Sequence, residues 1–217
     1  VRTGGFGGVD GLAKYLRAES IHVLVDATHP YAAQMSCHAV LASEQTDTAL
    51  LAIRRPPWQP GPGDQWVMVP DMAAAADAMG EAPRKVFLTV GQNELEPFKG
   101  VRRHSFVLRS IDLPPAEMTP LDATILTARG PFQLEDETSL MVNHGIEVMI
   151  TKNSGGTATA AKLEAARNLD ITVIMVERPQ LPDLEHLDRA QVVTGADAAF
   201  DWIVKFDLTG HRTDSMS

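Results

Sequence analysis

Cysteine is nearly absent from the chain, with Cys37 alone among 217 residues, so no internal disulfide and no clustered thiolate metal site can form. That usage suits a reducing compartment and points to the cytoplasm. The seven histidines are scattered, with no His-Glu-x-x-His pattern and no tight pair, so no metal site is expected. Basic residues are the scarcer charge, 19 Lys and Arg against 28 Asp and Glu for a formal net charge of -9. No basic run is long enough to follow a phosphate backbone, and nucleic acid is not an expected partner. No apolar run reaches the ~20 residues of a membrane span and no signal-peptide pattern appears, which removes a membrane partner too. The hydrophobic content, 44%, is ordinary for a protein with a buried core, and the length allows one large domain or two small ones. Oligomeric state is not legible.

Several familiar chemistries are also missing. A P-loop needs Gly-x-x-x-x-Gly-Lys-Ser/Thr, but in TKNSGGT (151–157) Lys152 precedes the glycines. A hydrolase elbow needs Gly-x-Ser-x-Gly, and the residue two before Ser154 is Lys152. Neither Tyr15 nor Tyr31 has a lysine four residues on, which removes the Tyr-x-x-x-Lys pair and disfavours a sugar-nucleotide epimerase or related dehydrogenase.

What is present is alternation of apolar runs with helical stretches. IHVLVDATHP (21–30) reads as a strand ending in a polar loop, YAAQMSCHAVLASEQ (31–45) as a helix, and ALLAIRRPPW (49–58) as a strand stopped by two prolines. DMAAAADAM (71–79) reads as a helix with an aspartate placed to cap it. KVFLTVGQNELEPF gives a strand, a glycine turn and a short helix, HSFVLRS a strand, and ATILTARGPFQLEDETSLMVNHG a strand, turn and helix ending at Gly145. IEVMI, a helix, ITVIMV, QVV and the helix ADAAFDWIVKF complete the series.

Near-continuous Val/Ile/Leu strands separated by helices imply an α/β protein with parallel sheets covered on both faces. The proline-rich RRPPWQPGPGDQW reads equally as a linker or as a long surface loop within one sheet. The favoured division is two Rossmann-like lobes with an inter-lobe cleft, at residues 1–82 and 83–206, with 207–217 as a flexible tail.

In such sheets ligands sit beyond the carboxyl ends of the strands, where polar loops fall. GGFGG (4–8) lets a backbone approach a ligand closely, though by itself it reads as a structural turn. DATHP (26–30) places Asp26, Thr28 and His29 at a strand end, or caps the next helix. ARGPF sets Arg129 in a strand-to-helix turn, either as a ligand contact or as a solvated arginine. TKNSGGT is the most specific, since a plain helix cap needs one hydroxyl, and this loop adds a lysine and two glycines.

In this order and spacing GGFGG, DATHPYA, RGPFQLEDE and TKNSGGTATAAKLEAAR followed by VIMVERP resemble the precorrin-6A reductase family of corrin (vitamin B12) biosynthesis, over nearly the whole chain. The resemblance implies hydride transfer from a nicotinamide cofactor, NADPH with NADH open, to precorrin-6A or cobalt-precorrin-6A, giving the corresponding precorrin-6B. It assigns cofactor contacts to Gly4, Gly5, Phe6, Gly7, Asp26, Ala27, Thr28, His29 and Pro30. Because such substrates carry many carboxylates, the expected grips are Arg54, Arg55, Arg129, Lys152 and Lys162. Asn153, Ser154, Gly155, Gly156 and Thr157 add neutral donors. Lys152 or His29 could deliver a proton, as could solvent. Asp26 is not expected to be the ribose-binding acid, which should follow an earlier strand.

The chain departs from the family in two places. Members begin with a strand and a Gly-Gly-Thr loop, whereas this sequence opens VRTGGFGGVDGL; the expectation is a missing upstream segment and, without it, weak dinucleotide binding. TVGQNE stands where the family shows Thr-Gly-Arg, which removes one basic contact. A reading from a different class is a non-catalytic α/β module that binds a nucleotide or an anionic tetrapyrrole, since every loop above predicts binding and none predicts turnover.

Overall fold

A computed structural model describes residues 4–210, with side chains through 206. The strands are β1 (Val23–Asp26), β2 (Ala49–Ile53), β3 (Trp66–Val69), β4 (Lys85–Thr89), β5 (Ser105–Ser110), β6 (Ala123–Thr127), β7 (Val148–Lys152), β8 (Thr172–Val176) and β9 (Ala190–Val193). The helices are α1 (Gly8–Ala18), α2 (Ala33–Thr46), α3 (Met72–Ala78), α4 (Leu134–Asn143), α5 (Ala161–Asn168) and α6 (Ala196–Gly210). None of the described helices is long and apolar enough to cross a membrane.

The chain forms two units. The first runs to Pro56 and resumes at Pro179; the second is the continuous segment Pro57–Arg178. In the first unit the parallel sheet has the order β1-β2-β9. Leu12, Ala13 and Leu16 of α1, spaced to share one helical face, bury against Ala42 of α2 with Phe6, Ile21 and Leu24. Ala39, Val40, Leu50, Ala52 and Leu184 form a neighbouring cluster.

The second unit carries six parallel strands in the order β3-β8-β7-β4-β5-β6. Its core gathers Phe87, Val107, Met141, Met149, Leu163, Val173 and Met175. The chain steps outward from β4 through β5 to β6, then returns to lay β7 on the other side of β4. The order therefore reverses between β4 and β7, which puts the ligand-binding crevice of this sheet at their carboxyl ends.

The α/β class and the parallel sheets are as the sequence implies, but the division differs from the expected 82/83. A strand absent from the sequence reading, β3, pairs in register with β8, Trp66 opposite Val173 and Val69 opposite Val176. Asp64 just before it accepts two hydrogen bonds from Arg167 of α5, each 2.9 Å. Residues 57–82 are thereby built into the second unit, and the last strand, β9, returns to the first. Asp71 caps α3 by accepting from the Ala74 N–H at 2.8 Å. NELEPF folds as two short 3-10 turns, Gln92–Glu94 and Glu96–Phe98. The helix α6 continues through Gly210 into the segment expected as a tail, and 211–217 lie outside the described residues.

Gly11, in the first turn of α1, shows how closely the preceding loop approaches the helix. A Cβ there would lie 1.8 Å from the Phe6 carbonyl oxygen, so the GGFGG turn folds back directly onto the first turn of α1. Gly11→Ala is expected to cost ~1–3 kcal/mol as an overpacking substitution and to shift the loop. Chemical denaturation checks this; unchanged stability would mean that the loop and helix do not approach this closely.

Candidate functional site

At the end of β7 the ladder continues one step beyond the strand, with the Asn153 N–H donating to the Val176 carbonyl at 3.1 Å. Asn153 then spends its side chain on Trp58. Its Oδ1 accepts from the Trp58 N–H at 2.7 Å and its Nδ2 donates to the Trp58 carbonyl at 3.0 Å. The Trp58 indole N–H donates to the Gly156 carbonyl at 2.8 Å, and Arg178 Nε donates to the Asn153 carbonyl at 2.6 Å. Gly155 and Gly156 adopt φ values of 66° and 79°, the left-handed region that glycine enters without steric cost. Thr157 is exposed. The helix α5 starts only at Ala161, after a further turn, and Ala160 offers its N-terminus no side-chain cap.

The charges around this loop are concentrated and unevenly matched. Lys152 Nζ pairs with Glu94 Oε1 at 2.6 Å, across the β7/β4 edge. Lys162 of α5, only 5% exposed, donates to Thr89 Oγ1 at the end of β4 at 2.9 Å and lies 5.7 Å from the Trp58 ring centre. Behind them Arg109 of β5 and Glu137 of α4, both buried, form a two-pronged ion pair. The Arg109 guanidinium lies 3.7 Å over the Phe132 ring and 5.0 Å from that of Phe87. With Lys162 protonated, three cations thus face two carboxylates. Burial, followed by the like charge of Arg109, pushes the Lys162 ammonium down to about 7, with Glu137 opposing and Lys152 adding to the fall.

The structure brings Lys152, Asn153, Ser154, Gly155, Gly156, Thr157 and Lys162 together at the β4/β7 edge. Ser154 N–H turns back to the Lys152 carbonyl at 2.7 Å. The loop after β6 joins them, since the Phe132 N–H donates to the Ala158 carbonyl at 3.3 Å; Arg129 is exposed on that loop. Arg54 and Arg55 belong to the first unit, where Arg54 Nη2 donates to the Pro182 carbonyl at 2.5 Å.

The remaining expected contacts also lie in the first unit. Asp26 uses both carboxylate oxygens locally: Oδ1 accepts from Thr28 N–H at 3.1 Å and Thr28 Oγ1 at 2.6 Å, and Oδ2 from Ser36 Oγ at 2.6 Å. It pins the β1–α2 turn, with Ala27 exposed and Pro30 buried in it. His29 Nδ1 accepts from the Tyr31 N–H at 3.3 Å, which leaves the ring proton of the neutral form on Nε2. At Gly4, Gly5, Gly7 and Gly8 a side chain would meet nothing within 4 Å, and Phe6 rests on Tyr15 at 5.2 Å between ring centres. Gly7 caps α1 without a side chain on its N–H groups, while Asp10 sits in the first turn. The loop leaves open space along its backbone. Asp10 makes it a poor seat for concentrated phosphate charge.

Sequence reasoning missed Arg109, Glu137, Glu94 and Trp58. The available signals were a lone arginine inside the apolar run SFVLRS and an indole set among prolines.

A parallel sheet whose strand order reverses beside a cationic crevice, with a glycine loop opening a helix in the other unit, places the chain in the class of Rossmann-like α/β proteins. Known proteins narrow that class. A family model described as "Precorrin-6x reductase CbiJ/CobK" matches residues 1–203. A precorrin-6A reductase of Rhodococcus erythropolis is 47% identical over 182 residues, covering 84% of this chain and 73% of the relative. That of Rhodobacter capsulatus is 45% identical over 181 residues, covering 83% and 72%. A solved CobK precorrin-6A reductase superposes with a TM-score of 0.86 at 41% identity, covering 94% of this chain and 79% of that one. The chain belongs to the precorrin-6x reductase family. It is a reductase, and reduction of this kind implies a nicotinamide cofactor.

The buried ammonium has a consequence for stability. Lys162 falls to about 7 in the folded chain from 10.5, so below pH 7 the fold carries the full cost of a buried charge, and that cost lifts as pH rises from 7 toward 10.5. Lys162→Met is therefore expected to gain most in Tm over the parent at pH 6, and to lose that advantage toward pH 10. An identical Tm difference at both ends would mean that the charge is not what burial opposes.

Proposed function

We propose that the chain catalyses the NADPH-dependent reduction of precorrin-6A to precorrin-6B in cobalamin biosynthesis. The observation that carries this reading is the cluster of cations at the β4/β7 edge, Lys152, Arg109 and a Lys162 that carries charge below about pH 7, against Glu94 and Glu137. An otherwise acidic protein there offers a local site for a macrocycle rich in carboxylates. The names of the relatives at 47% and 45% identity support the substrate, and the preference for NADPH over NADH rests on the family resemblance.

Each residue has a distinct part. Lys152 grips a carboxylate, exchanging its Glu94 partner for the substrate. Ser154, Gly155, Gly156 and Thr157 offer N–H groups along the same loop, and exposed Arg129 supplies a second grip with a planar fork. Asn153 positions the loop through Trp58 and gives no hydrogen bond of its side chain to substrate. Lys162 adds positive potential from below, in a region of weak screening. Gly4, Gly5, Phe6 and Gly7, with Ala27, Thr28, His29 and Pro30, hold the cofactor; Asp26 shapes that second loop. When bound, the nicotinamide supplies the hydride. Alignment and exclusion of water are then the main demands on the chain. The balancing proton comes from Lys152, from His29 Nε2 or from water. The lone cysteine, Cys37, suits work in the cytoplasm.

Following nicotinamide absorbance in the complete protein tests the reading: oxidation of NADPH is expected only when precorrin-6A is present. Saturable tetrapyrrole binding without oxidation would return the chain to the class of binding modules. Lys152→Ala removes a charge-assisted contact and should raise the KM for precorrin-6A by about tenfold or more, with NADPH affinity nearly unchanged. Equal losses for both ligands, in separate titrations, would reject the assignment of this loop to the substrate.

A further inference from the structure

A cavity of about 340 Å³ opens in the second unit beside the Lys152–Gly156 loop, walled by Trp58, Pro60, Trp66, Met68, Glu177 and Arg178. Asn153 belongs both to this wall and to the loop, so the two features are continuous.

The cavity is built before any ligand arrives. Trp58 is held by three hydrogen bonds, one donated to Asn153, one accepted from it and one donated to Gly156. Trp66 and Met68 are two residues apart on β3 and so project from the same face of the sheet. Met68 is 44% exposed, a large apolar side chain that an edge strand would ordinarily replace with a charged one. Arg178 is tied by Nε to the Asn153 carbonyl at 2.6 Å, which fixes a guanidinium at the rim. Walls this rigid spare a ligand the entropy cost of ordering them.

Shape and charge define the occupant. Two indoles, a thioether and a proline suit a flat conjugated group, and Arg178 suits a carboxylate attached to it. Glu177 on the same wall disfavours a second negative charge. A volume near 340 Å³ is at the small end of ligand pockets; it admits one edge of a tetrapyrrole and excludes the whole ring. We propose that this cavity is a subsite for one carboxylate-bearing edge of the macrocycle, its ring face against Trp58 and Trp66 and its carboxylate on Arg178. The proposal rests on the substrate reading above and adds a further grip to those at Lys152 and Arg129. Trp58, Trp66, Met68 and Arg178 then decide which edge of an asymmetric macrocycle enters.

Tryptophan emission reads the cavity directly, because Trp58 and Trp66 line it and only Trp202 lies elsewhere. The full chain is titrated with uroporphyrin, a planar tetrapyrrole with carboxylate arms, and separately assayed with precorrin-6A and NADPH. The variants are Arg178→Gln and Met68→Glu, the second at an exposed position where the fold tolerates charge; thermal melts confirm that both are folded. The expected result is saturable quenching in the parent, weakened about fivefold or more in each variant. The KM for precorrin-6A should rise in parallel while NADPH affinity stays constant. Absence of quenching in the parent, or quenching and KM unchanged in both folded variants, overturns the subsite. A parent that shows the expected quenching and variant pattern without oxidising NADPH supports the subsite and overturns the reductase reading alone.

Discussion

Arg109 and Glu137 meet out of water beneath the carboxyl edge of the six-stranded sheet, and the rest of the crevice is arranged over them. Taking both ions out of water costs more than an apolar pair of similar volume would, so net stability is a poor reason for the pair to exist. Its effect is geometric and electrostatic. The two-pronged pairing holds the guanidinium over the Phe132 ring and near that of Phe87, and the loop carrying Phe132 is hydrogen-bonded in turn to the segment that follows TKNSGGT. Onto this neutral pair the fold adds Lys162, whose partner is a hydroxyl and not a carboxylate. The charge that this residue adds to the crevice is therefore set by burial in the core, present below about pH 7 and lost as pH rises further.

Asn153 turns that buried arrangement into a shaped surface. One side chain, hydrogen-bonded to both backbone groups of Trp58, substitutes for a strand partner. It draws a proline-rich segment with little propensity of its own onto the end of β7. The same residue's carbonyl receives Arg178, so the entry and exit of the second unit are fastened at one point. Rigid walls beside a short glycine turn are what recognition of a large, carboxylate-studded ligand requires, since flexible walls would lose part of the binding energy to ordering.

The sequence made some of this legible and hid the rest for physical reasons. Long apolar strands such as ALLAI and TVIMV announced parallel sheets because burial on both faces leaves no polar positions. TKNSGGT was recognisable because lysine and paired glycines exceed what a cap needs. In contrast, β3 is four residues long, WVMV, with two exposed hydrophobics in its middle; it shows neither alternation nor turn-bounded length, and losing it displaced the boundary between the units. The pairing of Arg109 with Glu137 spans 28 residues, and no local pattern reports a contact of that range. Asn153 was seen as a donor to ligand because its chemistry permits that. Only the tertiary structure shows that both ends of its amide are already taken.

One topological fact also governs how the protein comes into being. Leu50 of β2 pairs with Ala190 of β9, and the whole second unit is threaded between them. During synthesis β2, apolar along its length, emerges with one edge bare and keeps it bare until nearly all of the chain has followed. Such an edge is a template for pairing with other chains. The intervening unit is contiguous and completes its own sheet first, so the speed with which those six strands assemble sets how long the nascent protein is vulnerable to aggregation.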